Sequence, residues 1–207
     1  MAEQDLETRA RLLNAAARLF AERGFARVTV RDICLGARAN VAAINYHFGG
    51  KQGLYTAVME SAIATMQATT DAARAAGEGR SAEERLRAYV RVFVQRLMGL
   101  GRDTRIHQLM MREIADPSPA LDMVAERVLK PRMEYLYGTI GELMGLPADD
   151  PRVVRCALSV QSQFHALVWS EVLPAATAPP AEGARALEAV ADHIARFSVS
   201  GARGVGR

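Results

Sequence analysis

Apolar residues recur three or four positions apart through nearly the whole chain, and no useful stretch alternates as a strand would. That period predicts an all-α protein. Its first segment runs from Leu6 to Arg23, with Leu12, Leu13, Ala16, Leu19 and Phe20 on one stripe. Gly24 follows as a left-handed stop, and Phe25 is able to fold back on the stripe. Thr29 is placed to cap a short helix that carries Val30, Ile33 and Cys34 inward. Asn40 is placed to cap another from Val41 to His47, which Phe48, Gly49 and Gly50 end. Three short helices with tight turns describe a small trihelical head, spanning 6–66 with the start of the next helix.

That next helix is predicted from Lys51 to about Ala76, where Gly77-Glu78-Gly79-Arg80 breaks it. Ser81 with Glu84 three residues later is a capping box for a helix ending by Gly99 or Gly101. Another covers about Thr104 to Ala115. Ser118-Pro119 starts one that extends to Gly145, which Pro131 is expected to kink or split. Asp150-Pro151 opens a helix reaching Val172, the Pro/Ala run 174–181 predicts a loop, and a last helix spans Gly183 to Ser198. The expectation is a larger helical domain over 67–199 and a frayed glycine-rich tail at 200–207.

Charge sharpens this picture. The formal net charge is only +3, yet all of it sits in the first quarter. Residues 1–55 carry eight basic groups against five acidic ones, and the remainder is balanced. A polyanion contact needs an excess of that kind, and in that place. No stretch approaches the roughly 18 apolar residues of a membrane span, and the N-terminus lacks an apolar signal core, so a cytoplasmic protein is expected. Cys34 and Cys156 form no spaced cluster, and His107 and His165 have no third ligand placed by spacing. Neither a metal site nor a cofactor is expected. No nucleophile–base pair or phosphate loop argues for an enzyme.

The second and third short helices have the form of a helix-turn-helix. Such a motif needs an apolar support helix, a tight turn and a reading helix with small and polar groups outward. Val30 to Cys34 supply the support, Ala37-Arg38-Ala39-Asn40 the turn, and Val41 to Phe48 the reader, with Ile44 and Phe48 facing inward. Val41, Ala42, Ala43 and Asn45 then face the major groove. Small apolar groups suit thymine methyls, and an asparagine both donates to and accepts from adenine. Tyr46, His47 and Lys51 are placed to meet phosphates, aided by the dipole of the helix that Lys51 opens. Thr29, Arg31, Arg38 and Asn40 border the same surface.

The run VTVRDICLGARANVAAINYHFGGKQGLY resembles the helix-turn-helix of TetR-family regulators. The shared features are the threonine cap, the Tyr-His-Phe triplet and the glycine-lysine step into the fourth helix. The family usually has glycine where Arg38 stands, and a left-handed residue there costs an arginine roughly 1 kcal/mol. Residues from Met111-Arg112-Glu113-Ile114 to Lys130-Pro131 resemble a CecR-type regulatory domain. These likenesses imply a homodimeric, ligand-responsive repressor that binds a pseudo-palindromic operator, with a helical domain for dimerisation and an effector. An interaction protein that uses such a head to regulate a partner is the alternative. Val154, Leu158, Phe164, Val168, Leu187, Val190, Ile194 and Phe197 are the expected dimer face on the last two helices. Met98, His107, Met111, Gln161, His165 and Trp169 are the candidates to line a site for an apolar or aromatic effector.

Overall fold

The computed structural model describes residues 2–98, 104–172 and 184–206. The regular elements among them are helical. They are α1 (Ala2–Arg23), α2 (Val30–Ala37), α3 (Val41–Phe48), α4 (Lys51–Gly77), α5 (Ala82–Met98), α6 (Thr104–Ala115) and α7 (Pro119–Val124). A π turn (Ala125–Leu129), α8 (Lys130–Met144), α9 (Pro151–Val172) and α10 (Ala184–Val205) follow. Local caps set several of these starts. The Ser81 amide and hydroxyl both donate to Glu84 Oε2, at 3.1 and 2.6 Å. Ser118 Oγ accepts from the Ala120 amide at 3.1 Å. The expected loop 174–181 lies outside the described residues.

The chain divides into two compact units, Met1–Thr65 with Asp103–Ala125, and Met66–Arg102 with Glu126–Arg207. Sequence pattern expects a head over 6–66 and a larger domain over 67–199 that includes α6 and α7, whereas in the structure α6 and α7 group with the first unit. Long-range polar contacts explain the difference. Arg112 on α6 donates through Nε to the carbonyl of Ala21 at 3.2 Å, and through Nη2 to that of Glu22, capping the end of α1. Its neighbour Glu113 is only 2% exposed. The Glu113 carboxylate accepts from the Tyr55 hydroxyl on α4, and from the amide and hydroxyl of Ser118 at 3.2 and 2.9 Å. Beneath lies an aromatic trio. Phe20 and Tyr55 meet edge to face at 5.0 Å between centroids, and Phe25 stands 4.8 Å from Tyr55.

The second unit packs α5, α8, α9 and α10 around Leu86, Tyr89, Phe93, Leu136, Ile140 and Phe164. Phe164 and Ile194, expected on a dimer face, are buried in this core, because they occupy the side of their helices turned toward α5. The last helix does not stop at Ser198. It continues to Val205 because Val199 and Ala202 are buried and Arg203 pairs with Glu83 at 2.6 Å. Those contacts outweigh the cost of about 1 kcal/mol for each of Gly201 and Gly204. Pro131 splits its helix as expected. Lacking an N–H, it leaves the Arg127 carbonyl without an α-helical partner. The chain takes a π turn there, and Gln67 Nε2 donates to that carbonyl at 3.0 Å.

Glu113→Ala should unfold the first unit more readily, by about 3 kcal/mol, since it leaves the Tyr55 hydroxyl and Ser118 amide unpaired. Tyr55→Phe should cost less. Chemical denaturation of the two variants checks the order, and equal midpoints would contradict the buried-carboxylate account.

Candidate nucleic-acid interface

The presentation of α3 starts with the cap of α2. Thr29 sits in extended backbone, its hydroxyl oxygen accepting from the Asp32 amide at 3.1 Å. Asp32 Oδ2 accepts in return from the Thr29 amide at 2.8 Å and hydroxyl at 2.7 Å. These bonds hold the Asp32 carboxyl below its ordinary range. Thr29 therefore serves the helix start, and its hydroxyl is already engaged.

The turn survives with arginine in it. Arg38 adopts φ 51° and ψ 48°, the lone non-glycine residue with positive φ among the described residues. Its neighbour Ala39 donates back to the Cys34 carbonyl at 3.0 Å, closing the end of α2 as glycine normally does. Asn40 then caps α3, its Oδ1 accepting from the Ala43 amide at 2.8 Å. Ile33, Cys34, Ala37 and Ile44 are buried, and this apolar seam fixes α3 against α2 and α1. Burial pushes the Cys34 thiol up, which leaves it a packing group.

On the opposite side α3 exposes Val41, Ala42, Asn45 and Tyr46, with Tyr46 77% exposed and Ala43 half-buried. Arg31 and Arg38 are exposed beside them. Two expected phosphate ligands have neighbours within the protein. The His47 side chain is only 7% exposed, its Nε2 3.4 Å from Asp5 Oδ1 on α1, so it faces the helix and not solvent. Lys51 lies with Nζ 4.2 Å from the centroid of Phe25, a cation–π contact, and partial burial lowers its pKa.

Sequence pattern alone passes over two residues of this site. Arg9 on α1 stands over the ring of Phe48 at 5.2 Å, adding a cation to the same side. Gly53 is required by space, since a Cβ there would lie 1.8 Å from the Phe48 carbonyl oxygen. A glycine inside the first turn of a helix is a costly choice without such an approach, and that is the signal in the sequence. The effector candidates are divided between the two units. His107 and Met111 belong to the first unit, while Met98, Gln161 and His165 belong to the second. Gln161 accepts from the Tyr89 hydroxyl at 3.0 Å, His165 is exposed, and the side chains of Trp169 and Val168 lie outside the described residues.

Comparison with known proteins agrees with this geometry. Residues 12–58 match the family of bacterial regulatory proteins named tetR. Residues 82–202 match the C-terminal domain of the HTH-type transcriptional dual regulator CecR. The CecR protein of Shigella flexneri is 28% identical over 163 residues, covering 72% of this chain and 70% of that one. A TetR-family transcriptional regulator from Streptomyces coelicolor has a similar structure, with a TM-score of 0.68 and 22% identity over 97% of each chain. AibR, solved with isovaleryl coenzyme A and operator DNA, gives 0.66 and 19% identity over 92% of this chain and 97% of that one. At such identities the last two likenesses speak for the fold.

Arg38→Gly should stabilise the protein by roughly 1 kcal/mol by relieving the left-handed turn. Gly53→Ala should destabilise it by well over that. Urea midpoints for the two variants check both signs.

Proposed function

We propose that this chain, a DNA-binding transcriptional regulator that belongs to the tetR family with a CecR-type C-terminal domain, acts as a homodimeric, ligand-responsive repressor. The observation that carries the reading is the outward face of α3. Val41, Ala42, Asn45 and Tyr46 are solvent-exposed on a helix whose other side is anchored by fully buried Ile44. Each reading helix enters a major groove of a pseudo-palindromic operator, with half-sites about 34–36 Å apart. Asn45 reads a base edge, Val41 and Ala42 meet thymine methyls, and Tyr46, Arg31, Arg38 and Lys51 meet the backbone. His47 has no phosphate role in this proposal, because α1 holds it.

The second copy would pair across a two-fold axis through α9 and α10. Leu158 and Phe197 are 53% and 63% exposed there, and Val154, Leu187 and Val190 are half-buried. Large apolar groups on the open faces of two adjacent helices support a four-helix interface with a second copy. A small molecule bound in the second unit shifts the population between two states that differ in operator affinity. The structure of AibR, which holds both kinds of ligand, is in keeping with that logic.

Mobility-shift titration with the DNA upstream of the gene tests the reading, and absence of sequence-specific binding there and in random-site selection would sink it. Asn45→Ala should change base preference. Tyr46→Ala should weaken all sequences alike, and Lys51→Ala should also reduce the salt slope by about 1. The double variant Leu158→Glu with Phe197→Glu should sediment as a monomer and lose operator binding, with the secondary structure unchanged.

A further inference from the structure

Among its described residues, the second unit contains a buried charge with no opposite number. Arg132, on α8, is 8% exposed. Its Nε donates to Thr70 Oγ1 at 3.2 Å and its Nη2 to the Met66 carbonyl at 3.3 Å, both neutral acceptors. Its guanidinium lies 4.8 Å from the centroid of Phe93. No carboxylate among the described residues pairs with it. Arginine does not shed its proton to relieve such a position, and a buried, unmatched charge is costly to maintain.

Thr70 connects this charge to an opening. It lines a cleft of about 280 Å³ between α4 and the corner formed by the π turn and α8, together with Arg74, Asp71, Arg127 and Pro131. Arg74 donates to the Pro131 carbonyl at 2.7 Å and stands 5.6 Å from the ring of Tyr135. Neither Arg74 nor Arg127 has a carboxylate partner among the described residues. Three guanidinium groups therefore face or underlie the cleft, against the single acid Asp71. The far wall is the interrupted backbone ahead of Pro131, where Gln67 holds the Arg127 carbonyl. Irregular turns of this type are frequent where helices carry sites.

We propose that this cleft binds the oxyanion of a small-molecule effector, a carboxylate or a phosphate, with Arg74 and Arg127 at its mouth and Arg132 beneath Thr70. A charge acting across the low-dielectric interior is screened far less than one on the surface, so Arg132 reaches an anion that it does not touch. The volume lies at the small end for ligand pockets, which suits an acidic head group better than a whole drug-sized molecule. The regulatory meaning of the site rests on the ligand-responsive reading above. It also changes the expected effector from an apolar or aromatic molecule to one with an acidic end.

The full-length protein is titrated with inorganic phosphate, isobutyrate, benzoate and coenzyme A at constant ionic strength, with chloride as control, by thermal unfolding and calorimetry. At least one probe should raise the melting temperature saturably, and the carboxylate and phosphate arms show which source fits. Arg74→Gln should weaken that probe about tenfold, the worth of one charge-assisted hydrogen bond, and Arg132→Met by a smaller factor, the loss of a charge acting at a distance. Arg132→Met should melt no lower than the parent without anion, because an apolar chain then fills a position that strands a charge. No saturable effect beyond chloride, or variants that titrate like the parent, would overturn the site. Operator binding measured in parallel separates the two ideas: intact binding without an anion effect removes this site alone.

Discussion

One buried carboxylate organises the DNA-reading unit. A charged group is tolerated inside a protein only where donors surround it, and Glu113 collects three, from Tyr55 and Ser118. The donors come from α4 and from the cap of α7, while the carboxylate itself rides on α6. A single side chain thus ties together three helices that are far apart in sequence. Arg112, next to it, closes the carbonyl end of α1, so the same turn of α6 fixes a fourth. Within that frame Ile33, Ala37 and Ile44 are buried, and Val41, Ala42, Asn45 and Tyr46 of α3 are left exposed.

The reading surface bears local costs that this framework offsets. Arg38 keeps a left-handed turn that suits glycine, and Gly53 gives up helix propensity so that α4 can begin against the Phe48 carbonyl. Both departures occur within a few residues of the exposed side chains of α3. Rigidity there serves the proposed reading, in which Asn45 meets a base edge from a backbone already in position.

What was legible in the sequence was local. Thr29 with Asp32, Asn40 with Ala43, and Ser81 with Glu84 act over three residues, and each forms in the structure as its spacing implies. Pro131 interrupts its helix for a reason written in its own ring. Interactions over longer range were not legible. Nothing near Arg112 or Glu113 says that one meets α1 and the other α4. Helical period marks Phe164 and Ile194 as apolar just as it marks Leu158 and Phe197, and it does not say which side faces the core. Gly201 and Gly204 read as breakers, whereas burial of Val199 and Ala202 carries α10 through them. Nothing in the sequence around Arg132 marks it as buried, and only the fold shows that it lies inside.

The segment of the chain that reads DNA is also not the segment that folds as the head. The N-terminal family match ends at residue 58, and the C-terminal match begins at 82 and includes α6 and α7. Yet α6 and α7 close the first unit. A head excised at residue 66 and transplanted onto another regulator would arrive with the Tyr55 hydroxyl and the last carbonyls of α1 facing a stranger's side chains. Exchange of specificity between such proteins has to carry two discontinuous pieces, and the second of them lies inside the domain that is nominally left behind.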